Sequence, residues 1–228
     1  MINLNNVFAF DLETVPFFET FDDFLEHDPR GADLFMKRAI RRSSSNEIWN
    51  GPIPEVYQRN AALFPEFGKV VTIAFSYFDK TRKLSVKSIE NDDEKEFLKW
   101  IVKLFNKVDE TRWVLAGHNI KGFDIPFLFK KILSYGLNMP ICLNTFGKKP
   151  WEINILDTMD IWKGTSWDSS SLDEVTYSLG LDSPKDVMFG AEVSNEYWKN
   201  KNLKGIETYC KKDTIAVVKI LEEMKKSF

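Results

Sequence analysis

Residues 7–16 are VFAFDLETVP. The apolar run is rich in strand-forming residues and ends in two carboxylates one residue apart, Asp11 and Glu13. Alternate residues of a strand point to the same face, so a strand here sets two anions side by side. Like charges at that spacing repel unless something positive lies between them. A divalent metal ion is the natural partner, and an ion held by one strand end needs further acids from elsewhere. This segment therefore constrains the fold strongly: it must place a strand end where other elements can deliver carboxylates.

The rest of the chain is patterned for such a fold. KVVTIAFSYF (69–78) is a buried-strand sequence, and KLSVKSIE (83–90) alternates apolar and polar residues like an exposed strand joined to it by a hairpin at Asp79–Arg82. NDDEKEFLKWIVKLFNKV has helical spacing at Phe97, Trp100, Ile101, Leu104 and Phe105. A short strand is expected at 112–117, a helix at 122–136, a strand running into a turn or helix at 153–162, and a helix at 171–180. That last helix has a capping box of Ser171 and Glu174. A long final helix, LKGIETYCKKDTIAVVKILEEMKK, ends the pattern. Strands first, then alternating helices and strands, predict an α/β layer fold with a mixed sheet. Residues 17–66 interrupt the pattern with polar, Arg-rich and Ser-rich sequence. They are expected to be an insertion between the first two strands, with some helix and a mobile loop near 42–54. No composition break divides the 228 residues, so one domain, 1–228, is expected.

Two further acids fit the converging pattern. Asp124, in GHNIKGFDIPFL, opens a helix just after a strand, where the helix N-terminus favours a carboxylate and where ligands of α/β sheets sit. Asp213, in YCKKDTIAVVKI, shares a helix face with Tyr209, Val217 and Ile220. It therefore points inward, where an unpaired charge is costly. Taken singly, each acid has a plain reading: a solvated strand end, a helix cap, a surface ion pair. Taken jointly, the plain readings are weak.

FDLETVP, HNIKGFDIPFL and YCKKD together resemble, in order and separation, the three motifs of the DEDD superfamily of 3′→5′ exonucleases, over residues 7 to about 220. The third motif fits the tyrosine subtype: Tyr209 completes YxxxD, while the histidine position of the other subtype is Thr208. FPEFGKVVTIAFSY and SLDEVTYSLGL most resemble stand-alone exonucleases similar to the proofreading domain of family-B DNA polymerases. The resemblance implies a ribonuclease H-like fold. It also implies Asp11, Glu13, Asp124, Tyr209 and Asp213 as catalytic residues, the four acids being metal ligands for two Mg²⁺ or Mn²⁺ ions. In that scheme Asp11 bridges the ions, Glu13 and Asp213 hold the one on the water side, Asp124 helps through water, and Tyr209 orients the attacking water. Hard oxygen donors suit these metals. Leu12, Thr14, Asn119 and Phe123 are substrate-binding candidates of lower rank, and Leu12 has an alternative place in the core.

The implied activity is hydrolysis of single-stranded DNA from its 3′ end, releasing 5′-nucleoside monophosphates, with a role in DNA repair. The rivals are the same chemistry on RNA and a catalytically silent nucleic-acid-binding module. A polymerase or repair partner is not readable from the sequence. With 31 basic and 34 acidic residues, the net charge of −3 argues against strong non-specific nucleic-acid binding. Local basic clusters exist at Lys37, Arg38, Arg41 and Arg42, at Lys130 and Lys131, at Lys148 and Lys149, and at Lys211 and Lys212. The Lys37–Arg42 cluster has the plain reading of a solvated helix face and the minority reading of a clamp. Two cysteines without a CxxC argue against a disulfide framework or zinc knuckle. No signal peptide or membrane span is visible, so the cytoplasm is expected. His118 is expected to be a loop hydrogen-bonder, Asp157 and Asp160 structural, and Trp49, Trp162, Trp167 and Trp198 mostly core.

Overall fold

The computed structural model describes residues 3–43, 47–149, 152–184 and 188–227. Five strands form one mixed sheet in the order β3-β2-β1-β4-β5. They are β1 (Val7–Pro16), β2 (Gly68–Phe78), β3 (Leu84–Glu90), β4 (Val114–Gly117) and β5 (Ile155–Asp157). β1 is central, antiparallel to β2 and parallel to β4. The hairpin from β2 to β3 turns where expected. Asp79 Oδ1 accepts from the backbone of Thr81 and Lys83, and Arg82 takes the left-handed conformation that closes the turn.

Alternation along β1 sorts its residues between two layers. Phe8, Phe10 and Leu12 enter a core completed by α4 (Glu94–Thr111) and α5 (Asp124–Ser134). Val7, Ala9 and Val15 face the other side, covered by α9 (Leu203–Ser227) and, near Val15, by α8 (Val193–Trp198). Asp11 and Glu13 lie on that second side, between Ala9 and Val15. A bulge between Glu13 and Thr14 shifts the register to β2 just beyond the acids. Two short helices complete this layer's surroundings: α6 (Thr158–Lys163), with Asp157 as N-cap, and α7 (Leu172–Ser178), with the Ser171–Glu174 capping box formed as the sequence predicts.

Residues 17–66 are more ordered than the sequence suggests. They form α1 (Phe21–His27), α2 (Pro29–Ser43), a 3₁₀ turn at Glu47–Trp49 and α3 (Ile53–Asn60) around their own aromatic core. Phe21, Phe24, Phe35, Trp49, Tyr57 and Phe67 pack edge-to-face and tilted, with centroids 5.2–6.4 Å apart. Large aromatics buried this way contribute roughly 1.5–3 kcal/mol each. The expected mobile loop near 42–54 is corrected for its described residues: helix runs to Ser43, Trp49 is buried and α3 begins at Ile53. Residues 44–46 of that stretch lie outside the described residues. The tryptophan expectation also needs correction. Trp49 is core and Trp198 half-buried, but Trp167 is 89% exposed and Trp162 is exposed. Among the described residues, no helix is long and apolar enough to cross a membrane.

Candidate active site

β4 is only four residues long and pairs with β1 through Val7–Ala9 alone. Beyond that ladder β1 still has backbone donors on the β4 side. One of them, the Leu12 N–H, donates to Asp124 Oδ1 at 3.0 Å. The carboxylate that opens α5 thus takes the place of a missing strand partner, and this bond brings it to the acids of β1. Gly117, at the end of β4, permits the close approach: a Cβ there would lie 2.1 Å from Ile120 Cγ2 and 3.0 Å from the Phe10 carbonyl.

The loop between β4 and α5 is held by Asp157, which is 1% exposed. Its carboxylate accepts from the backbone N–H groups of Asn119, Lys121 and Met159 at 2.8–3.1 Å. His118 adds two bonds, Nδ1 with Thr158 Oγ1 and Nε2 with the Ser170 carbonyl. This agrees with the structural roles expected of both residues. Asp160 pairs with Lys121 at the surface.

α9 supplies the last acid. Tyr209 and Asp213 stand one turn apart on its inward face, both buried, and the Asp213 carboxylate is near enough to act on the Tyr209 hydroxyl. Between them in sequence, Cys210 donates its thiol to the Asp11 carbonyl at 3.3 Å. Its Sγ and one carboxylate oxygen each of Asp11 and Glu13 lie within 4.8 Å of one another. Sequence reasoning missed this thiol. The only available signal was its place beside Tyr209, three residues before Asp213.

The electrostatics are those of a charge cluster short of cations. Burial and then the neighbouring charges of Glu13, Asp213 and Asp124 hold the Asp11 carboxyl well above the usual carboxylate range. Burial, Asp213 and Asp124 do the same to Glu13, which lies within hydrogen-bond reach of Asp11. Asp124 is pushed up to about 8 by burial, with Asp157 and Asp213 adding to it against the pull of its backbone hydrogen bonds. Burial and the same acids raise the Cys210 thiol well above its ordinary value and push Tyr209 above its own, so both stay protonated. Asp11 Oδ2 is buried with no hydrogen-bond partner. A buried, unmatched carboxylate oxygen amid three other acids is the donor set a hard divalent cation needs. The residues present fit the metal the motif implies.

The lower-ranked candidates are placed less favourably. Leu12 is 4% exposed, with its side chain in the core and its N–H on Asp124. Thr14 is buried, and its hydroxyl donates to the Ala62 carbonyl. Asn119 is exposed in the left-handed conformation, next to the half-buried Phe123 that precedes α5. Both precede Asp124 in the chain and neither is fully buried, although Phe123 also packs against Phe127.

A mixed five-stranded sheet with helices on both faces and acids midway along its central strand defines a ribonuclease H-like exonuclease fold. Residues 63–220 match the family described as predicted 3′-5′ exonucleases related to the exonuclease domain of PolB, and the chain belongs to that family. The strand bearing Asp11 and Glu13 precedes the matched segment. The chain is similar to "Putative DNA polymerase 060R" of Frog virus 3 (isolate Goorha), at 28% identity over 137 residues, which cover 49% of this chain and 13% of that protein. Its fold matches the family B DNA polymerase of the hyperthermophilic archaeon Pyrobaculum calidifontis with a TM-score of 0.58 at 16% identity, covering 96% of this chain and 24% of that one. The chain thus spans a small part of either relative's length.

Proposed function

We propose that this chain is one exonuclease domain with an insertion at 17–66. It hydrolyses single-stranded DNA from the 3′ end by the tyrosine-type, metal-dependent route and releases 5′-nucleoside monophosphates. The observation that carries this reading is that four acids from three elements lie within one another's field around Asp11, whose Oδ2 is buried without a partner. Asp11, Glu13, Asp124 and Asp213 would hold Mg²⁺ or Mn²⁺. When bound, divalent ions supply a nucleophilic water at neutral pH and charge stabilisation for the leaving oxygen. Tyr209 keeps its proton, so its hydroxyl orients the attacking water by hydrogen bonding rather than by taking its proton. Asn119 and Phe123 flank the site where a terminal nucleotide would sit, Phe123 offering a ring to a base. Polymerase activity, named for the relatives, is not carried over to this chain.

The test uses 5′-labelled single-stranded DNA and RNA oligonucleotides with Mg²⁺, Mn²⁺ or EDTA, beside an Asp11→Ala variant. The expected result is a ladder shortening from the 3′ end, faster on DNA, absent with EDTA and absent in the variant. Faster shortening of RNA would move the reading to an exoribonuclease. No shortening of either polymer, with binding retained, would leave a silent binding module.

A further inference from the structure

α2 carries five basic side chains against one acid in fifteen residues, in a chain of net charge −3. Two of them are built into a ladder. The Arg38 guanidinium lies 4.8 Å from the ring centroids of both Phe64 and Phe67. The Arg42 guanidinium lies 5.2 Å from Phe64 and 5.3 Å from Trp49. Phe67, Arg38, Phe64, Arg42 and Trp49 thus alternate ring and cation. Stacking between aromatic faces fixes a guanidinium plane and removes most of its rotamer freedom, and it keeps the charge at the surface.

The ladder borders a surface cavity of about 500 Å³ whose wall includes Arg30, Lys37, Arg38 and Arg41, with Asp28 and Glu66 as its acids. Glu66 accepts from Arg38 at 3.1 Å, Asp33 of α2 pairs with Lys37, and Asp28 accepts from the Gly31 N–H, so the basic groups of this face still outnumber its acids. Lys130 of α5 adds its field beside Glu66. The groove is joined to the strand that carries the acids. Phe17 N–H donates to the Phe67 carbonyl, and Phe17 lies four residues past Glu13, about 13 Å at the rise of a strand.

We propose that this face of the insertion is a phosphate-backbone site for the single-stranded nucleic acid whose 3′ end enters the acid cluster. The inference rests on the exonuclease reading for its ligand but not for its measurement. Stacked guanidiniums beside exposed lysine and arginine side chains make a sequence-independent grip on phosphates, which accounts for affinity while the acid cluster accounts for chemistry. A chain of net negative charge needs such a local concentration of cations to hold a polyanion at all.

The test compares the wild type with a triple variant, Arg30→Glu, Lys37→Glu and Arg41→Glu. All three residues are exposed and lie outside the ladder. Binding of a labelled single-stranded 20-mer is measured in EDTA across a salt series, so no catalysis is needed. Three lost phosphate contacts lower the slope of log affinity against log salt by about 2. With Mn²⁺ present, the ratio of kcat/KM on the 20-mer to that on a trinucleotide falls at least tenfold. A charge-conserving variant, Arg30→Lys, Lys37→Arg and Arg41→Lys, keeps the wild-type slope. Equal slopes and equal length ratios in a variant that melts like the wild type would overturn the proposal. Loss of all hydrolysis by the wild type would strike the exonuclease reading alone, since the salt slope is read without metal.

Discussion

Tyr209 shows how a single hydroxyl is confined to one role. It is raised above its ordinary pKa by burial and by three surrounding acids, Asp213 foremost. A group so reluctant to ionise orients a water rather than taking its proton. Tyr209→Phe removes that hydroxyl and little else. The expected outcome is a fall in kcat of about 10²-fold, the size associated with a misplaced reactant, with Mn²⁺ affinity by thermal shift left within twofold. A loss of metal affinity as large as that of Asp213→Asn would make the hydroxyl a ligand instead. At this scale the motif acids were legible because spacing alone puts Asp11 beside Glu13 and Asp213 on the face of Tyr209. Cys210 was not, since nothing in one helix's sequence says which foreign carbonyl its thiol will meet. Leu12 and Thr14 illustrate the same limit: the core and Ala62 claim their side chains.

Among the elements, the decisive one is the loop from β4 into α5. Its conformation sets the position of Asp124, and it hangs on one buried carboxylate from β5. Asp157→Ala strands three backbone N–H groups at once. At a typical net value of about 1 kcal/mol per bond, the variant loses about 3 kcal/mol of stability. Urea unfolding checks this: the midpoint should fall with the slope unchanged, and exonuclease activity should fall with it as Asp124 loses its setting. A loss below about 1 kcal/mol would mean that the loop is anchored elsewhere. The strands, the Asp79–Arg82 hairpin and the Ser171–Glu174 cap were readable because each depends on neighbours in sequence. The helical core of residues 17–66 was not. Its aromatics are scattered through polar sequence, and only their meeting at 5–6 Å reveals a common interior.

For the whole molecule, the acid cluster costs stability in the absence of metal, and the sign follows from the raised carboxyls. Asp124 titrates near 8 in the folded chain against 3.8 as the reference, and Asp11 and Glu13 are raised with it. Below about pH 4 these groups are protonated in both states and impose no penalty. As pH rises towards 8 the unfolded chain ionises freely while the folded one resists, so stability falls. The metal-free melting temperature should therefore drop between pH 5 and pH 8. Mn²⁺ at a hundredfold excess over its Kd should restore about 2.7 kcal/mol at the upper end. Asp124→Asn, which keeps an oxygen for the Leu12 N–H, should flatten the pH slope. A metal-free melting temperature that rises over that range would contradict the repulsive cluster.

By itself, the sequence determined the local facts: a strand carrying two same-face acids (though not that it runs on past them to Pro16), helix starts and caps, a hairpin, and an inward acid one turn from a tyrosine. Each follows from periodicity or from side chains reaching their own backbone. Only the tertiary structure decided that Asp124 completes a truncated β1–β4 ladder and that a thiol adjoins the acids. It also decided that Arg38 and Arg42 stack between the rings of Trp49, Phe64 and Phe67. These depend on which elements pack together. Packing is set by the summed burial of many side chains, so it cannot be read from the spacing of any few.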